Sequence, residues 1–281
     1  MKKGFTLLFI LFCLMAVAWF LFRAKERHPS PTRTTETPSQ TTESTTLPPT
    51  TLPPTTTSPS IPPTTTTTPP PSIAELFPPY RVTATLKAAV ANLPKGYTGD
   101  VKYGKGGVFY RVVSPTGEAV RVEAEHLTLS APPPLHLPAV DKSTIENMAN
   151  EWGFLSETDY LVITSLYRLE TYVFKKSSRG WILQKRMDCS AGDLTHPTPT
   201  GQFQIETKYT AIGKAGEYTC PHAVGFFGNY LYHSLPLSPD GKTALDPRMG
   251  ARVSNGCIRL RTPDSLWLYQ TLPLKTTVVI F

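Results

Sequence analysis

Tyr230-Leu231-Tyr232-His233-Ser234 and, twenty positions after its serine, Ser254-Asn255-Gly256-Cys257-Ile258-Arg259-Leu260 decide how this chain is read. A cysteine becomes a useful nucleophile when a neighbouring base or cation favours its thiolate. His233 is the candidate base and stands on a different strand-like run from Cys257. Gly256, lacking a Cβ, lets the backbone turn so that successive amides at Asn255 to Cys257 can point at one oxygen as an oxyanion hole. Arg259 adds a cation able to hold a carboxylate or to keep the thiolate ionised. A single histidine and a single cysteine are more often structural, so spacing alone leaves catalysis open.

Working outward, β-rich runs dominate the C-terminal half. Tyr160 to Ser165, Leu169 to Lys175, Trp181 to Met187, Gln202 to Glu206 and Tyr230 to His233 read as strands, and Thr276 to Phe281 as a final one. Ser143-Thr144-Ile145-Glu146 has the form of a capping box, with Ser143 as N-cap of a helix ending at Gly153. Thr262-Pro263-Asp264 offers an N-cap, an N1 proline and an acid favoured by the helix dipole, which predicts a helix to about Thr271. The reading is a mainly-β catalytic block over 139–281.

The segment from Tyr230 to Leu260 is similar to the signature of the L,D-transpeptidase (YkuD-like) catalytic domain. His233 matches that family's upstream histidine. Ser254, Gly256, Cys257, Ile258 and Arg259 match its Ser-His-Gly-Cys-hydrophobic-Arg/Asn element. Thr198-Pro199-Thr200-Gly201-Gln202-Phe203-Gln204-Ile205 resembles its TPxGxFxI turn and strand, and Tyr160 to Ile163 with Tyr172 to Phe174 resemble its opening strands. The resemblance spans roughly Asp159 to Phe281 and implies a β-sandwich. One departure matters: Asn255 stands where the family usually has histidine, and an amide hydrogen-bonds but cannot titrate. The family's general base is matched by His233, so an active enzyme with altered pH dependence is expected.

The resemblance also implies a mechanism. Cys257 attacks a peptidoglycan stem tetrapeptide, His233 moves the proton, the Ser234 carbonyl orients the imidazole, and Ser254, Asn255, Gly256 and Arg259 serve the substrate and the oxyanion. The product is a 3→3 cross-link, made without metal or organic cofactor. A carbapenem is the implied inhibitor, acylating the same cysteine. L,D-carboxypeptidase activity is the near alternative.

The rest of the chain of 281 residues concerns address and display. Lys2 and Lys3 precede an apolar run from Phe5 to Phe22, which as a helix covers about 27 Å, close to a bilayer's hydrocarbon core. No small-x-small site follows, so residues 1–28 read as an uncleaved anchor rather than a cleaved signal. Phe12 before Cys13 argues against a lipidated cysteine. Residues 29–75 are a Pro/Thr/Ser-rich linker that cannot bury enough apolar surface to order itself. Extended, it reaches about 130 Å. Together they predict a single-pass cell-membrane protein with its catalytic domain outside, in the wall.

Within 76–130, the runs Arg81 to Thr85, Val108 to Val113 and Glu118 to Val122 between Gly/Pro turns read as a small barrel resembling a bacterial SH3-like domain. Its role would be wall binding or structural adaptation. The net charge of +7 suits anionic cell-wall polymers, while the scattered cations and absence of a recognition motif argue against nucleic acid.

His196, His222, His233 and Cys257 lack the spacing of a zinc site. His222 reads as a pocket-rim or buried polar residue. Cys189 and Cys220 either pair as a disulfide or, the favoured reading, stand as inert small hydrophobes. Two rivals remain. The sortase class lacks support, because Val253-Ser254-Asn255-Gly256 precedes the cysteine in place of its TLxTC element. A catalytically silent wall-binding protein would treat Asn255 as decay.

Overall fold

Burial on both faces of Tyr160–Ser165 (β6) organises the C-terminal half. Leu161 and Ile163 face one side of a sheet, Val162 and Thr164 the other, and all four are fully buried. A strand covered on both faces reads as continuously apolar, which is why this run was legible in the sequence at its observed limits. The computed structural model describes residues 70–281, so the expected anchor and most of the linker lie outside the described residues. Among the described residues no helix is long and apolar enough to cross a membrane.

Five short strands come first: β1 (Thr83–Leu86), β2 (Thr98–Lys105), β3 (Phe109–Val113), β4 (Ala119–Glu123) and β5 (Leu127–Ser130). They form one antiparallel sheet in the order β4-β3-β2-β1-β5. The catalytic half then builds two sheets. In one, β10 (Gly201–Gln204), β16 (Thr277–Ile280), β6, β7 (Glu170–Ser177) and β8 (Gly180–Asp188) lie in that order. In the other, β11 (Thr207–Lys214), β12 (Tyr218–Phe227), β13 (Tyr230–Ser234) and β15 (Ile258–Leu260) follow one another. A short parallel pair joins β9 (Ala191–Gly192) to β14 (Arg252–Ser254).

The two larger sheets share a core of Val162, Val173 and Val278 with Phe226, Tyr232 and Ile258. The Tyr232 hydroxyl spans it to Thr164 Oγ1 at 2.8 Å, so the phenol enters the core with its polar end paired. On the outer face of the first sheet, Leu161, Ile163, Tyr172 and Phe174 pack under helix α2 (Lys142–Glu151), which brings Ile145, Met148 and Ala149. The short helix α1 (Ile73–Leu76) delivers Leu76 and Phe77 to this same cluster. It is closed by a Ser72/Glu75 capping box and lies inside the stretch read as linker.

Two helix starts differ from expectation. The N-cap of α2 is Asp141, whose carboxylate accepts from the Thr144 amide at 2.8 Å, and not Ser143, whose hydroxyl donates to Asp141. Glu146 does not close a capping box, because its carboxylate accepts from the Leu183 amide on β8 at 2.9 Å. Helix α3 (Thr262–Thr271) starts after Arg261 with no side-chain cap, so Thr262 is its first residue and not its cap. Pro263 and Asp264 occupy the first turn as expected.

The small sheet is docked on the sandwich by aromatic side chains. Tyr80 meets Tyr167 edge-on with centroids 5.2 Å apart, and the Arg252 guanidinium lies 3.6 Å over the Tyr80 ring. Tyr110 donates to Thr195 O at 2.7 Å.

Candidate active site

The pairing of β13 with β15 is parallel, with His233 opposite Arg259 and Tyr232 opposite Ile258. Registered residues of neighbouring strands share a face, and the two-residue alternation brings Cys257, just before β15, to the face of Arg259 and His233. Histidine and cysteine from separate segments therefore lie on one face of one sheet. This parallel step needs a long crossover, and residues 235–251 supply it.

His233 is buried, at 7% exposure. Its Nδ1 lies 2.6 Å from Ser234 O. A carbonyl only accepts, so Nδ1 carries the proton and Nε2 keeps its lone pair. Burial pushes the imidazole down to about 4, with the Arg259 cation adding to that and the Ser234 carbonyl opposing it. Burial also raises the Cys257 thiol, against the pull of the Leu231 amide and Arg259. The resting site is thus a neutral imidazole beside a protonated thiol rather than a preformed ion pair. The thiol contacts Asn229 O at 3.7 Å.

The turn before the cysteine is set by its own side chains. Ser254, almost fully buried, donates to Cys257 O at 2.5 Å while its oxygen accepts from the Gly256 amide at 3.1 Å. Gly256 has φ +104°, and a Cβ there would sit 2.5 Å from a Tyr230 ring carbon. Two of the expected site residues already have partners within the chain. The Gly256 amide donates to Ser254 Oγ, so Ser254 and Gly256 together shape the turn. Arg259 already holds a carboxylate of this chain, its Nη1 pairing with Asp246 Oδ2 at 2.7 Å, both side chains being mostly buried. Asp246 is also held by Arg248 at 2.7 Å, and these two cations keep its carboxyl far below the usual range.

Ser234 contributes its carbonyl to His233, while its hydroxyl donates to Leu235 O at 2.9 Å. Asn255 is exposed on the rim, away from the buried imidazole. Sequence reasoning missed Asn229, Tyr230 and Asp246. Asn229 acts through backbone, which side-chain type does not reveal, and an acid in a Pro/Gly-rich loop reads as solvated.

Cys189 and Cys220 are both buried and unpaired, their thiols pushed up by burial to about 12 and about 11. Such thiols are inert. His222 lies on β12 beside the Tyr269 ring, with Nδ1 buried and unpartnered. Among the described residues no three His, Cys, Asp or Glu side chains gather as a metal site.

Fold and site together define a mainly-β domain that carries a buried histidine on one strand and a cysteine immediately before the parallel strand beside it. Residues 159–280 match the model of the YkuD family, the L,D-transpeptidase catalytic domain. That match covers somewhat less than half of the chain, and within it the segment is similar to the L,D-transpeptidase catalytic domain.

The chain is 42% identical over 55 residues to the protein named "Putative L,D-transpeptidase YciB" of Bacillus subtilis (strain 168), over 19% of this chain and 28% of that one. Among solved structures, a fused Zn-dependent amidase/peptidase/peptidoglycan-binding domain-containing protein of Clostridium acetobutylicum ATCC 824 is 33% identical. That match covers 50% of this chain and 59% of the other, with a TM-score of 0.43. An L,D-transpeptidase of Mycobacterium smegmatis is 20% identical, with 44% and 58% covered and a TM-score of 0.37. The chain thus spans little more than a quarter of the curated relative it matches.

Proposed function

We propose that this protein is a peptidoglycan L,D-transpeptidase acting through a Cys257 thioester. The observation that supports it most directly is the β13–β15 register, which gathers His233 and Cys257 on one face with the imidazole already in the tautomer of a base. Cys257 Sγ attacks the carbonyl joining the third residue of a stem tetrapeptide to its terminal D-alanine. The thiol proton passes to His233 Nε2 and then to the departing amine as the C–N bond breaks. A side-chain amine of a second stem attacks the thioester, giving the 3→3 cross-link and the free thiol. Because the resting pair is neutral, proton transfer accompanies attack instead of preceding it.

The N-terminal apolar run and Pro/Thr linker would hold this domain outside the membrane, and the small sheet would act as an SH3-like wall module. Both belong to the proposal. Intact-mass measurement after carbapenem treatment is the test: a stable adduct on the native protein, lost in Cys257→Ala, is expected. Muropeptide profiles of cells carrying each form should differ in 3→3 cross-links. An adduct that survives in Cys257→Ala, or identical profiles, would refute the assignment and leave a silent wall-binding protein.

A further inference from the structure

A cleft of ≈630 Å³ opens beside the nucleophile, and half of its wall comes from outside the catalytic domain. Tyr103, Lys105 and Phe109 of the β2–β3 hairpin face Phe227, Asn229 and Asn255 across it. Asn229, whose carbonyl receives the Cys257 thiol, and Asn255, two residues before that cysteine, both line the cleft. A second cavity of ≈470 Å³, near Tyr80, Gln202 and Phe281, carries none of the reactive side chains.

The hairpin is fixed in place. Tyr230 donates to Gly104 O at 2.7 Å, and Tyr103 meets Phe227 edge-on at 5.2 Å. A Cβ on Gly106 would lie 2.1 Å from His196 Nε2, so the hairpin backbone rests directly on that ring. The ring itself is anchored by Nδ1, 3.1 Å from Asp193 Oδ1. Arg259 pairs with Asp246 and does not line this cleft, so Lys105 is the cation among its lining residues. Lys105 is exposed in the cleft and has no carboxylate partner among the described residues.

We propose that the β2–β3 hairpin forms one wall of the substrate cleft and that Lys105 receives a carboxylate of an acidic peptide lying across Tyr103 and Phe109. This rests on the transpeptidase reading and extends it, because it makes the small sheet part of substrate selection. The peptide's amide groups meet Asn229 and Asn255, and its alkyl portions meet the aromatic faces.

The test is calorimetric binding to the full chain carrying Cys257→Ala, so that no turnover intervenes. The probes are a synthetic stem tetrapeptide with free carboxylates and its fully amidated counterpart. Amidation should weaken binding about three- to fivefold when Lys105 is present, the range of an exposed ion pair, and hardly at all in Lys105→Gln. Lys105→Glu should prefer the amidated peptide. Equal loss on amidation in both proteins, unchanged affinity in Lys105→Gln, or no binding at millimolar peptide would overturn the proposal. Failure of the transpeptidase reading shows separately, as the absence of an acyl-enzyme when the same peptide meets protein with Cys257 intact.

Discussion

Replacing Gly256 with alanine tests the turn that presents Cys257. The φ of +104° lies where a residue with a Cβ is strained by about 1–3 kcal/mol. The new methyl would also stand 2.5 Å and 3.0 Å from two Tyr230 ring carbons. The ring cannot retreat freely, because its hydroxyl holds Gly104 O at 2.7 Å, a bond contributing about 1 kcal/mol. A total near 3 kcal/mol, roughly a hundredfold in the folding equilibrium, should appear in urea denaturation. If the turn shifts to relieve the clash, Cys257 moves with it, and a displacement of about 1 Å lowers the acylation rate roughly a hundredfold. In a Tyr230→Ala background only the backbone strain remains, so the added cost of Gly256→Ala should fall to about 1–2 kcal/mol. Native stability together with native β-lactam acylation in Gly256→Ala would refute this account of the turn. An equal cost in both backgrounds would show that the ring is not involved.

Acylation rate should stay level from about pH 5 to 8, falling as His233 protonates near 4; a midpoint at 6.5 would contradict the buried-imidazole reading. The same depression predicts a stability effect: above the ordinary histidine value nothing is lost, while from about 6.5 down to 4 the unfolded chain takes up a proton that the folded one refuses. Denaturation midpoints should drop across that window, by up to about 3 kcal/mol in all, and a flat profile would contradict it. Asp246→Asn leaves the mostly buried Arg259 without its counter-ion and should cost about 1–3 kcal/mol in thermal or urea unfolding, against no change if the pair were ornamental. Asn255→His should shift the pH dependence of acylation without abolishing it, since Asn255 lines the cleft and a histidine there, unlike an amide, titrates; a silent native protein rescued by this change would mark the site as degenerate.

Local pattern carried much of the architecture. β6 matches its β-branched run from Tyr160 to Ser165, and α3 ends at Thr271 as its N-terminal Pro263 and Asp264 and apolar run suggested. Strands β11 and β12 were illegible because Gly213, Pro221 and Gly225 interrupt them. These residues are tolerated through cross-strand partners: Ala211 opposite Pro221 and Thr207 opposite Gly225. The cap of α2 went to Asp141 because Glu146 found the Leu183 amide, a neighbour 37 residues away.

The sequence by itself determined the chemistry, since the His233 and Cys257 segments and their Gly256 turn are local features of residue type. Only the tertiary structure decided what those groups are free to do. Burial keeps the imidazole neutral, Asp246 takes up an Nη1 donor of Arg259, and a hairpin some 150 residues upstream came to wall the cleft. The physical reason is that charge state and access depend on what surrounds a group in space, and those surroundings are assembled by pairings between distant segments that no short pattern records.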